Sequence, residues 1–147
     1  MPVLSDDLTH GLAFVAAVVG LPPRLARSRP ASSAPQLPGL TALIDTGTSL
    51  TCIDPGIVQA LNLQSIGRTR QPVYGAFSPA AGVTCWRYRV SLTLVNPNGN
   101  PAENLTRQNL EVIAIPISGA DVLVGVDILI HCDFTHNGLG GRFSLFF

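Results

Sequence analysis

The sequence predicts an all-β domain, and three observations carry that expectation. Short apolar runs rich in Val, Ile and Leu are separated by Pro, Gly and Asn breakers. One segment, Trp86 to Leu94, alternates apolar and polar residues with a period of two. Helical patterning is confined to two short segments.

Taken in order, residues 1–10 read as a loose tail and 11–147 as one domain, a size that suits a single core. Leu12 to Gly20 is rich in Val and Ala, stops at Pro22-Pro23, and predicts the first strand. Residues 28–39 hold three prolines and three serines and predict a long loop. Thr41 to Ile44 predicts a buried strand. Asp54-Pro55 opens a helix, because Asp caps a helix N-terminus and proline at the first position needs no donor. Ile57, Val58 and Leu61 form its buried stripe, and Asn62 lies near its end.

A hairpin follows, with Pro72 to Phe77 going out, residues 78–82 at the tip and Val83 onward returning. On the return, Trp86, Tyr88, Val90, Leu92 and Leu94 are expected in the core, with Arg87 and Arg89 on a solvated face. Asn96 to Pro101 is a turn. Leu110 to Ile117 is apolar except for Glu111 and predicts a strand buried on both faces. Asp121 to Val124 predicts a short strand backed by a helix from Val126 to His131. Asp133 to His136, a glycine-rich turn and Arg142 to Phe147 close the chain. No internal repeat suggests a fused two-lobed molecule.

Nine acidic and nine basic side chains cancel, and only 12% of residues are charged. A nucleic-acid binder carries a basic excess, so no nucleic-acid partner is expected. At 46% hydrophobic, the chain is apolar enough that a second copy covering part of its surface is one physical reading. The odd number of cysteines, Cys52, Cys85 and Cys132, predicts free thiols in a reducing compartment. Leu12 to Leu21 is too short to span a bilayer. Asp6 and Asp7 stand upstream of it where a signal peptide would carry cations. The expectation is therefore a cytoplasmic protein without a membrane partner, in which the Asn104-Leu105-Thr106 sequon has no consequence.

The most informative segment is Asp45-Thr46-Gly47, preceded by Ala42-Leu43-Ile44 and followed by Thr48-Ser49-Leu50-Thr51. An apolar run that ends at a carboxylate and turns through glycine places an acid at the end of a buried strand. The hydroxyls of Thr46, Thr48 and Ser49 lie within reach of that carboxylate or its neighbouring backbone. Farther along, Val122-Leu123-Val124-Gly125 repeats the apolar-apolar-Gly pattern before Asp127-Ile128-Leu129.

This pair of segments resembles the retropepsin-like family of aspartic proteases. The resemblance implies an acid-protease barrel with one lobe per chain, aspartic endopeptidase activity and no cofactor. Two carboxylates a few ångströms apart divide the labour of hydrolysis because they cannot both be ionised. This chain offers one Asp-Thr-Gly, so the second must be Asp45 of a symmetry mate, and a homodimer is implied. By the same resemblance Asp45 is the acid/base, Thr46 grips its counterpart across the dimer, and Gly47 lets a peptide or protein substrate approach. Thr48, Ser49, the flap residues Tyr74, Gly75, Ala76 and Phe77, and the pocket residue Leu123 are the implied substrate contacts. Gly125 is implied to pack against the Asp45 loop, and Phe143 to Phe147 to join its mate in an interface sheet. Activity is expected on the acid side of neutral, with large apolar side chains flanking the cleaved bond.

The match has departures. Viral members carry an ion pair at the positions of Ser49 and Val126; both partners are absent here, which leaves no buried charge unpaired. The flap tip holds Pro79. Other readings stand beside the main one. Asp45 fits a structural Asx turn, and the whole fold fits a non-catalytic peptide-binding or oligomerisation module. His131, Cys132 and His136 match no metal-site spacing, so no metal is expected. Neither Cys52 nor Cys85 has a base and orienting group evident for nucleophilic work.

Overall fold

The computed structural model describes residues 1–23, 35–71 and 82–147. Its strands are β1 (Val3–Asp7), β2 (Phe14–Gly20), β3 (Gln36–Ile44), β4 (Cys52–Ile53), β5 (Gly67–Gln71), β6 (Val83–Leu94), β7 (Leu105–Ala114), β8 (Val122–Val124), β9 (Asp133–Asn137) and β10 (Arg142–Phe146). Among the described residues the short helices α1 (Pro55–Leu61) and α2 (Val126–Leu129) accompany them, with a 3₁₀ turn at Pro101–Glu103. The all-β expectation holds.

Six strands close into a barrel in the order β2-β3-β8-β4-β7-β6, sealed by antiparallel pairing of β2 with β6. β5 extends the sheet beyond β6. Closure removes the open edges that a flat sheet would leave. The curvature it needs comes partly from bulges. In β3, Pro38 and Gly39 stand opposite Val18 alone, and Gly39 takes the positive φ of +72° that such a bulge favours. In β7, Gln108 and Asn109 face Ser91. The interior is apolar, with Val19, Val90, Leu92, Leu94, Val112, Val122 and Val124 almost fully buried.

Several expectations are corrected. Residues 3–7 are no loose tail. They form β1, antiparallel to β10, because Leu4 buries completely beside Phe143 and Leu145. Each such side chain contributes about 1.5–3 kcal/mol. β10 is thus enclosed by β1 and β9 of its own chain, so a mate cannot pair with it edge to edge. Only the outer edges of β1 and β9 remain for such pairing. The Pro/Ser-rich segment is not loop throughout: β3 begins at Gln36, while residues 28–34 lie outside the described residues. The outgoing hairpin strand is found earlier, at Gly67–Gln71; the expected Pro72 to Phe77 lies outside the described residues.

On β6, Tyr88, Val90, Leu92 and Leu94 face the core, but Trp86 is 46% exposed, at the last residue pair of β6 with β7, opposite Ala114. Arg87 and Arg89 are not merely solvated: both reach Glu111 across the β6–β7 pair, at 2.9 and 3.9 Å. β7 starts at Leu105 and ends at Ala114, and only Val112 and Ile113 of the expected doubly buried run are buried. α1 is as expected. Asp54 Oδ1 accepts from Gly56 N, and Asn62 closes the helix with φ 50°. α2 stops at Leu129, short of His131.

Candidate active site

β8 lies between β3, to which it is parallel, and β4, to which it is antiparallel. The chain that leaves β3 at Ile44 and enters β4 at Cys52 must therefore arch over the C-terminal end of β8. Asp45 sits at the start of that arch, its backbone N–H donating to Val124 O at 3.0 Å. Its carboxylate is held by its own loop: Gly47 N donates to Oδ1 at 2.9 Å and Thr48 Oγ1 donates to Oδ2 at 3.0 Å. Of the three hydroxyls expected near it, Thr48 alone makes that bond. Ser49 Oγ donates instead to Gln71 Oε1 on the hairpin, at 3.3 Å, and Thr46 is exposed.

Gly125 follows β8 directly and passes beneath the arch. A Cβ there would stand 2.7 Å from Leu50 C and 2.9 Å from Leu50 O and Thr48 O. The arch is fastened from below by Val126 N donating to Thr48 O (2.8 Å) and Asp127 N to Ser49 O (3.2 Å). Asp127 also accepts from both Thr51 N (3.0 Å) and Thr51 Oγ1 (2.8 Å), and the same fully buried hydroxyl accepts from Gly125 N at 3.1 Å. A loop-to-helix tie thus exists without the ion pair missing at Ser49 and Val126. Thr51 and Asp127 were not singled out from the sequence. The one available signal was that a Thr and an Asp follow the two motif glycines within a few residues, Thr51 after Gly47 and Asp127 after Gly125.

Beside the arch opens a cleft of about 550 Å³. Asp45, Gly47, Thr48, Ser49 and Leu50 form one wall, Gln71 and Val83 of the hairpin another, and Ile115 and Pro116 a third. Cys52, Cys85 and Ile113 form its floor as a separate buried apolar cluster. Asp54 steadies the third wall, accepting from Ile117 N at 3.2 Å while capping α1. The structure thus brings together Asp45, Gly47, Thr48 and Ser49. Thr46 and Leu123 are not among the residues lining the cleft; Leu123 is partly buried and packs against the floor cluster. Tyr74, Gly75, Ala76 and Phe77 lie outside the described residues.

The two floor thiols sit on β4 and β6, on either side of β7. Two strand spacings put their strands about 9–10 Å apart, and the register offsets the two residues further along the strands, beyond the reach of a disulfide; both are free. Burial pushes the Cys52 thiol up to about 12, with Cys85, Asp127 and Asp45 adding in the same direction. Burial also raises Cys85, and it raises Cys132 against the opposing pull of Arg107. An unfolded thiol ionises near its ordinary value of 9.0, whereas folded Cys52 keeps its proton until about 12. The resulting stability is fully present below pH 9 and is lost as pH rises towards 12. We expect stability to fall steeply over that range, and less steeply in Cys52→Val, in equilibrium unfolding at stepped pH. Identical slopes would show that Cys52 is not the group responsible. Among the described residues no three His, Cys, Asp or Glu side chains are placed to hold a metal ion. None of the described helices is long and apolar enough to cross a membrane.

The closed barrel and the arch over β8 form one lobe, with Asp45 at the start of the arch. Among solved structures, the chain is similar to a retropepsin-like aspartic protease from Rickettsia conorii, with a TM-score of 0.58 and 11% identity. The likeness covers 97% of this chain and 89% of that one, and establishes the fold as retropepsin-like. No protein-family model and no curated protein matches the sequence.

Proposed function

We propose that this chain is an aspartic endopeptidase that works as a homodimer, with a water molecule held between Asp45 and its symmetry-related counterpart. One carboxylate takes a proton from the water as it attacks the peptide carbonyl carbon. The other carboxyl gives its proton to the carbonyl oxygen, and collapse of the tetrahedral adduct passes a proton to the leaving amine. The observation that carries this reading is the Asp45 carboxylate, fixed by Gly47 N and Thr48 Oγ1 on the wall of a largely apolar cleft. The floor of Cys52, Cys85 and Ile113 favours large apolar side chains next to the cleaved bond.

The test is cleavage of a mixed peptide library from acid to neutral pH, with protein concentration varied. Specific activity should rise with concentration, fall as pH passes neutrality, and select apolar residues at the cut. Folded protein that cleaves nothing would instead favour a peptide-binding module. A flat pH profile would rule out a proton shared by two carboxyls.

A further inference from the structure

The β5–β6 hairpin has two faces with different chemistry. Gln71, Val83 and Cys85 look into the cleft. The other face carries Arg68 opposite Trp86 and Arg70 opposite Thr84, with Ile66 just before the strand. The Arg68 guanidinium carbon lies over the Trp86 ring, 4.0 Å from its centroid, a cation–π contact. Trp86 is 46% and Ile66 39% exposed, and both arginines are exposed. Among the described residues the ion pairs are Arg87 and Arg89 with Glu111 and Arg142 with Asp7, so neither Arg68 nor Arg70 has an acidic partner there. The chain's single tryptophan is therefore half-exposed beside two guanidiniums without an acidic partner among the described residues, in a molecule of zero formal net charge.

We propose that this outer face docks an acidic, extended stretch of polypeptide, with alternate carboxylates on Arg68 and Arg70 and an apolar side chain on Trp86. The two arginines are two residues apart on one strand, a separation of about 6.6 Å. An extended partner repeats its side chains at the same interval, so register and charge match together. Planar guanidiniums suit paired carboxylate oxygens, and the stacked indole lowers the freedom Arg68 must surrender on binding. A nucleic acid is less well served, since its grip grows with the number of phosphates neutralised and this face offers two cations. Because the reverse face walls the cleft, docking would raise the local concentration of acidic substrates at Asp45. That last step rests on the protease reading; the binding itself does not.

The test uses the fluorescence of Trp86, which reports on this face alone. Asp45→Asn protein is titrated with a peptide of alternating Glu and Val, and with its Gln counterpart. The acidic peptide should give a saturable change that weakens as salt is raised. The change should fall about tenfold or more in affinity in both R68Q/R70Q and R68E/R70E, at unchanged circular dichroism. Equal binding of the Gln peptide, binding retained in R68Q/R70Q, or tighter binding of an oligothymidylate of equal charge would overturn the proposal. Acidic-peptide binding by a protein whose wild type cleaves nothing would uphold the docking face and sink the protease reading. Cleavage with no preference for acidic flanks, and no fluorescence change, would do the reverse.

Discussion

Asp45→Asn is expected to abolish peptide cleavage, lowering kcat/KM by about 10³-fold or more, while leaving the fold in place. The two outcomes separate because the carboxylate's structural and chemical duties differ. Structurally it accepts two bonds, from Gly47 N and Thr48 Oγ1. An asparagine oxygen retains the first, and the threonine hydroxyl can rotate to accept from the new amide, so the stability cost is about 1 kcal/mol or less. Chemically, an amide can neither take a proton from water nor give one to a carbonyl oxygen. Cleavage assays paired with thermal unfolding read both quantities. Residual activity close to wild type, in protein free of wild-type contamination, would show that Asp45 is only an anchor for its loop.

Gly125→Ala should be among the most damaging single-methyl additions in the molecule. The backbone at Gly125 has φ −90° and ψ −179°, ordinary for any residue, so the objection is space and not conformation. A methyl would press on Leu50 C, Leu50 O and Thr48 O, all of them backbone atoms with no side chain to swing aside. The arch would have to rise, stretching the bonds from Val126 N to Thr48 O and from Asp127 N to Ser49 O. Crowding of this kind costs about 1–3 kcal/mol, and the displaced arch would carry Asp45 out of position. Urea denaturation should show a lower midpoint at an unchanged m value, with activity lost beyond what reduced stability explains. An unchanged midpoint would mean that the arch yields freely and that the close approach of Gly125 is incidental.

What the sequence revealed divides along physical lines. Asp45, the strand before it and the Asp54–Pro55 helix start were legible because they depend on neighbours along the chain: an apolar run, a cap, a turn. The core side of β6 was legible from Tyr88 to Leu94 because a barrel wall imposes a period of two. Trp86 shares that period but sits at the last residue pair of β6 with β7, where the core no longer covers it, and no local pattern marks that point on a long strand. β1 was missed because Val3–Asp7 is too polar to declare itself; its partner is more than a hundred residues away. The Thr51–Asp127 tie was missed for the same reason, since it is formed by topology and not by spacing. The cleft floor of Cys52, Cys85 and Ile113 joins three strands, and a linear reading has no means of assembling it.

The pairing of β1 with β10 also sets a clock. Residues 3–7 are made early, and the strand that receives them, residues 142–146, is made roughly 140 residues later. At ribosomal rates of about 5–20 residues per second, the wait is on the order of ten seconds or more. For that time Leu4 and the hydrogen-bonding edge of β1 have no home, while the local hairpin of β5 and β6 can already form. The sheet that unites β1, β9 and β10 is therefore among the last parts of the lobe to assemble. A nascent chain can present Asp45 well before it has the completed framework on which a second lobe could settle.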